Sequence, residues 1–400
     1  MTTTPATTDR RMTPGRTFVF ALAAGTAVGS LYLAQPLIEV IAEALRVSPS
    51  SASVLVTVSQ IGYALGIFLL VPLGDVLDRR RLIPAVLGLS ALALLAAAAA
   101  PSFGVLLGAL AALGLTTVSA QLLTPLASEL AAPDQRGKVV GAVAAGALTG
   151  ILLSRTVSGV VADALGWRAI FVVVAVVVLV LAVVLRRIVP RLEPRAPVPY
   201  PRLLGSVLTT VTRYRAVGPT LLISGAAFAV FSLFWTSLTF LLTAEPFGFS
   251  VTQIGLVGLA GLTGALAARR AGALNDRGWS VPATGAALAL LVLSLVGAWL
   301  AQTSVVALVV VIVVLDIAVQ ANLVLGQTRL LSLPGTERSR LNTALVVSNF
   351  VGGALGSVLA GRLWAAGGWD AVVVAGILLT LAALGVWAAT RRGRLADVAR

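Results

Sequence analysis

The chain has 400 residues, 58% of them hydrophobic and 11% charged, with no cysteine, no histidine and a formal net charge of +14. Soluble domains carry about 25% charged residues, so a chain this apolar belongs in a bilayer rather than in water. The missing cysteine and histidine exclude disulfides, a thiol or Ser-His-Asp nucleophile and the usual zinc ligand sets. No metal, other cofactor or enzymatic activity is therefore expected, and any proton chemistry falls to the 15 acidic residues.

The N-terminus, MTTTPATTDRRMTPGR, is polar and basic. Twelve apolar runs follow in order, at 17–43, 52–73, 82–100, 103–131, 138–165, 168–187, 217–243, 251–271, 281–300, 304–331, 341–363 and 370–390. Each approaches or exceeds the roughly 20 residues that cross a bilayer as a helix. They are too long, and too little alternating, for strands. The first has no small-residue cleavage pattern behind it and reads as an uncleaved span. Turn residues or charges mark the breaks, among them Ser48-Pro49-Ser50, Pro101-Ser102, Gly166-Trp167-Arg168 and Gly367-Gly368-Trp369.

The longest connection, 188–216, holds most of the stretch RRIVPRLEPRAPVPYPR, whose prolines and charges forbid a span. It divides the chain into a helical body at 17–187 and a second at 217–390, with short tails at 1–16 and 391–400. An even number of spans puts both termini on one side. On that side lie 25 of the 29 basic residues, while Arg46, Arg168 and Arg362 fall on the other. Basic loops resist translocation, so the rich side is expected to be cytoplasmic. The same distribution argues against nucleic acid as a partner, because the positive charge sits in short loops between spans rather than on one patch.

The two halves carry matching marks. Gly74, Asp78 and Arg79 recur 198 residues later as Gly272, Asp276 and Arg277. Arg136, Gly150, Gly159, Gly166 and Trp167 recur 202 residues later as Arg338, Gly352, Gly361, Gly368 and Trp369. These coincidences fall at equivalent loops and spans and imply a duplication of one six-helix unit. Parallel repeats of this kind mark transporters whose site lies between the halves.

Twelve spans, a basic central loop and G-x-x-x-D-R after spans two and eight resemble the major facilitator superfamily over essentially the whole chain. Stretches such as YLAQPL, RGKVVGAVAAGALTGILLSRTVSG and RSRLNTALVVSNFVGGALGS are similar to its bacterial efflux branch, which holds drug–proton antiporters and exporters of sugars or purine ribonucleosides. The resemblance implies an all-α membrane protein of two pseudo-symmetric six-helix bundles in a bacterial inner membrane. It also implies a cytoplasmic gate at the charged turns: Gly74, Asp75, Asp78 and Arg79 in the first half, Gly272, Asp276 and Arg277 in the second. In the outward-facing state the first turn would meet the start of span eleven. The alternative is that these turns only set topology.

Charges inside apolar runs need a reason, since each costs about 2.5–3.5 kcal/mol at helix-centre depth on insertion scales. Arg155 and Asp316 both sit near mid-span. They are expected to approach each other or to share a solute, with Asp316 carrying the proton; a permanent structural ion pair is the alternative. Glu39 and Glu129, nearer span ends, are weaker proton-coupling candidates. Leu110 stands where many relatives of this superfamily place an arginine, and Arg155 could take that part.

The resemblance places spans one, four, seven and ten around the cavity. On that basis Tyr32, Gln35, Gln121, Phe231, Trp235 and Gln320 are substrate-binding candidates, with Asn349 added from span eleven. Phe228, Phe231 and Trp235 share one helical face. Gly255, Gly258, Gly261 and Gly264, three residues apart, read as a close-packing face rather than a site. No G-x-x-x-x-G-K-[ST] loop supports ATP-driven pumping. The expected function is proton-coupled efflux of a small organic solute or drug, by exchange for protons across the lipid bilayer, with the protein a monomer. An importer or facilitator of the same fold is the alternative, and a membrane protein that transports nothing the more remote one.

Overall fold

The structure, a computed structural model, describes residues 12–132, 134–190, 199–262, 274, 277–333 and 338–395. Among these residues the chain is built from helices. A bilayer offers the backbone no hydrogen-bond partner, so an apolar run must satisfy its own amides within the segment.

The first span is α1 (Pro14–Ser30) and α2 (Ile38–Leu45), broken around a short 3-10 turn at Gln35–Leu37. Pro36 lies in the break and lacks the N–H that a continuous helix would use there. The second span comprises α3 (Pro49–Ala52), α4 (Val54–Leu70) and α5 (Leu73–Val76). The third is α6 (Arg79–Ala98), and the fourth α7 (Phe103–Thr116) with α8 (Ser119–Leu130). The fifth and sixth are α9 (Arg136–Leu165) and α10 (Trp167–Ile188). Ser48, Ser102, Ser250 and Ser304 each cap a helix start through a side-chain oxygen.

The connection between the halves contains a helix that the proline-rich sequence did not suggest, α11 (Tyr200–Arg213). The second half continues with α12 (Val217–Thr243), α13 (Val251–Val257) with a 3-10 stretch at Gly258–Leu262, α14 (Ser280–Leu300) and α15 (Val305–Leu331). Last comes α16 (Arg338–Thr390), whose two limbs meet at a non-helical Gly367–Gly368. Among the described residues ten helical segments are long and apolar enough to cross a membrane. Dividing α16 at its kink makes eleven, and of the expected eighth span, 251–271, the shorter apolar Val251–Gly261 segment is seen while residues 263–271 lie outside the described residues.

The duplicated glycines do the same work in both halves. Gly25 and Gly150 let the backbones of α1 and α9 meet, and Gly225 and Gly352 do so for α12 and α16. Small residues permit such crossings where helices cannot rely on a hydrophobic drive to associate. Gly166 (φ 85°) and Gly368 (φ 60°) turn the chain between the last two spans of each half, where a side chain would be strained. Trp167 and Trp369, one residue on, are both buried.

The halves are joined from mid-depth to the end opposite the basic loops. There Thr57 and Ser357 share a hydrogen bond (2.7 Å), and Gln60 Nε2 donates to Ser232 Oγ (3.0 Å). Thr156 Oγ1 donates to the Gly255 carbonyl (2.8 Å), and the Thr252 amide donates to Asp163 Oδ2 (2.9 Å). Gly159 lies under the Val251 carbonyl, and its duplicate Gly361 under that of Ser50. The structure is therefore sealed at the end away from the arginine-rich loops.

Candidate functional site

Four helical elements converge at mid-depth. Arg155 of α9 is 3% exposed, and its Nε donates to Gln35 Oε1 (3.0 Å) in the break of the first span. Gln35 Nε2 in turn donates to Thr236 Oγ1 of α12 (3.3 Å). The break leaves the Gln35 side chain buried at the junction of the halves.

The guanidinium is enclosed by aromatic faces. Arg155 Cζ lies 4.1 Å from the Trp235 ring centroid, 5.2 Å from Tyr32 and 5.7 Å from Phe231. Desolvated contacts of this type contribute about 2 kcal/mol. Nη1 and Nη2 are buried without a hydrogen-bond partner. A buried donor left unmade costs about 1–3 kcal/mol, more when charged, so the site has unused capacity for acceptor oxygens.

Asp316 of α15 is the only buried carboxylic acid among the described residues, at 3% exposure. It does not pair directly with Arg155. Trp235 stands between them: its ring faces the guanidinium while its Nε1 donates to Asp316 Oδ1 (3.2 Å). The sequence points to all three residues but not to this order: acid and base were expected to approach each other or to share a solute, with no side chain set between them. The stripe of glycines borders the same group. A Cβ on Gly255 would lie 2.7 Å from the Arg155 carbonyl oxygen, one on Gly258 3.5 Å from Arg155 Cβ and Cδ, and one on Gly261 would collide with Asp316 Oδ2. The stripe packs closely, as expected, and it also walls the site. Gly264 lies outside the described residues.

Beyond Phe231 the aromatic face continues. Phe228 stacks on Phe231 (5.4 Å) and approaches Phe350 (5.0 Å), which meets Tyr63 edge-on (4.4 Å). Gln121, half-buried on α8, donates to the Tyr63 hydroxyl (3.5 Å). Asn349 is buried with its Oδ1 unpartnered, and Gln320 is half-buried on α15. Gln60 and Tyr63 of α4 belong to this region and were missed. The signal was there, in a lone amide and a tyrosine within the apolar run 52–73.

The remaining candidates lie elsewhere. Glu39 is half-buried on α2, toward the sealed end. Glu129 accepts from Arg79 Nη1 (3.1 Å), so it belongs to the charged turn. In that turn Arg79 also pairs with Asp75 (3.3 Å) and donates through Nε to the Gly74 carbonyl (2.7 Å). Asp78 caps α6 by accepting from the Arg80 amide (2.9 Å). A Cβ on Gly74 would lie 2.8 Å from Leu122 Cδ2, so a larger residue there would push the end of that side chain aside. In this sealed conformation these partners all lie in the first half. In the second copy Arg277 is exposed, while Gly272 and Asp276 lie outside the described residues. Arg329, grouped by sequence with the loop charges, is instead 2% exposed, with Nη2 donating to Ser280 and Thr284.

A family model described as Major Facilitator Superfamily matches residues 20–330. Over 95% of its length the chain is 42% identical to a protein of Escherichia coli O157:H7 described as "Uncharacterized transporter YgaY", covering 96% of that relative. It is 37% identical to "Probable transporter SCO4007" of Streptomyces coelicolor, over 93% of this chain and 86% of the relative. Among solved structures it matches the nucleoside transporter NupG (TM-score 0.76, 14% identity, 93% of this chain and 98% of that one). It also matches a bacterial homologue of the human lysosomal transporter Spinster (TM-score 0.74, 14% identity, 95% and 97%). At these identities the two structures bear on the fold alone.

Proposed function

The chain belongs to the major facilitator superfamily and is a multi-pass membrane transporter, not an enzyme; from that premise we propose that it couples efflux of a small amphipathic organic solute to protons by alternating access. The observation that carries this reading is the Arg155–Trp235–Asp316 group, a buried base and a buried acid sharing one indole where the two halves meet. The basic end is taken as cytoplasmic because it concentrates the arginines, which puts both termini there. The protein works as a monomer on this reading, since one chain supplies both sides of the cleft.

Solute enters from the cytoplasmic end, against the aromatic face of Phe228, Phe231 and Phe350. Its acceptor oxygens satisfy Arg155 Nη1 and Nη2, with Tyr32, Gln35, Gln121, Gln320 and Asn349 as the polar groups within reach of its other parts. Asp316 is ionised while solute loads. The seal at Thr57, Gln60, Asp163 and Thr252 then parts, and the Gly74 turn, with Asp75, Asp78, Arg79 and the second copy, closes the cytoplasmic end. A proton taken up by Asp316 from outside returns the empty carrier.

The test uses inside-out vesicles energised by respiration, with a panel of radiolabelled amphipathic solutes. Solutes that accumulate should be lost on addition of a protonophore, and adding them should release protons that a pH dye reports. Equilibration unaffected by the protonophore would support the facilitator reading instead, and accumulation only in right-side-out vesicles the importer.

The seal can be tested separately, because the chain has no cysteine. Thr57→Cys with Ser357→Cys should cross-link under mild oxidation, as their hydroxyls are 2.7 Å apart and disulfides need close β-carbons. The oxidised protein should transport at background level and recover on reduction. Full transport by the cross-linked protein would mean that this contact does not part during the cycle.

A further inference from the structure

Away from the central cleft, a cavity of about 130 Å³ at the arginine-rich end is lined by Asp78, Arg80, Arg81 and Arg186. It lies between the start of α6 and the last turn of α10. Arg80 Nε donates to the Arg186 carbonyl (3.3 Å), which ties the two helix ends together and brings their guanidinium groups to one opening. The single carboxylate, Asp78, is already engaged in capping α6. Three arginines thus line a space with one acid, at the positive end of the α6 dipole. Like charges so gathered call for a counter-ion.

The surroundings say which kind. Directly along α10 from Arg186, Val183, Val180 and Val176 form an exposed stripe at helical spacing, each more than half exposed. On α6, Leu89 and Leu92 are likewise exposed. A charged opening where two spans leave the apolar zone, continued into a smooth apolar flank, matches a molecule with an anionic head and hydrocarbon tails. We propose that this cleft binds the phosphate of an anionic phospholipid, with its acyl chains lying on the α6–α10 flank. Basic pockets between spans at this depth select charged headgroups over zwitterionic ones. The headgroup would also secure the approach of α10 to the start of α6, next to the Gly74 turn.

The test uses the full-length protein, purified in detergent, delipidated and offered phosphatidylglycerol or phosphatidylcholine of the same acyl chains, with bound lipid counted by native mass spectrometry. Phosphatidylglycerol should be retained at least about tenfold better, a difference of about 1.4 kcal/mol. The variant Arg80→Gln, Arg81→Gln, Arg186→Gln should lose that preference. A variant of equal charge change in the tail, Arg391→Gln, Arg392→Gln, Arg394→Gln, should keep it. Should the first triple variant fold poorly, Arg81→Gln alone, at an exposed position, should lower the preference by about threefold, less than 1 kcal/mol. Millimolar glycerol phosphate, which has the head without the tails, should not displace the lipid. Equal retention of the two lipids, a preference that survives the triple variant or is lost equally in the tail control, or displacement by glycerol phosphate would each overturn the proposal. The last result would assign the cleft to a free anion.

Discussion

Asp316→Asn is expected to abolish uphill transport, by about a hundredfold or more, the scale lost when a positioned proton-transfer group is removed. The exchange keeps size and shape, and the new side-chain oxygen can still accept from Trp235 Nε1, which now donates to Asp316 Oδ1 at 3.2 Å. Folding should therefore survive, and thermal melting should change little. What disappears is the one buried group among the described residues that can bind and release a proton as a carboxylic acid. Counterflow, in which labelled solute exchanges for unlabelled solute with no gradient, should persist in reconstituted vesicles while accumulation vanishes. Accumulation at the wild-type rate would remove Asp316 from the coupling scheme. Loss of counterflow as well would place it in solute binding.

Gly261→Ala is expected to reduce transport about tenfold or more, while Gly258→Ala is tolerated. The two positions lie one helical turn apart in the same 3-10 stretch. At Gly258 a methyl group would meet Arg155 Cβ and Cδ at 3.5 Å, an ordinary contact. At Gly261 it would run into Asp316 Oδ2 and lie 2.8 Å from Leu152 Cδ2. Overpacking of this kind costs about 1–3 kcal/mol, and here the strain falls on the carboxylate itself. The readouts are transport rate and melting temperature for both variants side by side. Equal behaviour of the two would mean that Asp316 moves away from Gly261 freely, and that the glycine stripe is packing with no part in the site.

Arg155 shows how far a residue's significance was legible before its surroundings were known. A charge within an apolar run is conspicuous by itself, because the bilayer imposes a cost that only a function or a partner offsets. Asp316 was found the same way. Trp235 was identified through its place on a helical face, but nothing in its spacing could tell that its ring would cover one charge and its N–H the other. Glu129 was readable as an acid near a span end, not as the partner of Arg79 fifty residues earlier. The amphipathic α11 was hidden by the proline-rich stretch before it.

By itself the sequence determined where the apolar runs and their breaks fall, and the glycines and tryptophans that recur along the chain. All of these follow from a local rule: a bilayer of set thickness demands an apolar run of set length, and a turn demands residues that can make it. Only the tertiary structure decided which polar groups share the cleft, that Trp235 separates acid from base, and which end of the molecule is sealed. Those depend on contacts such as Gln35 with Thr236 and Thr57 with Ser357, 201 and 300 residues apart. No local pattern encodes them, because they arise from how whole helices cross.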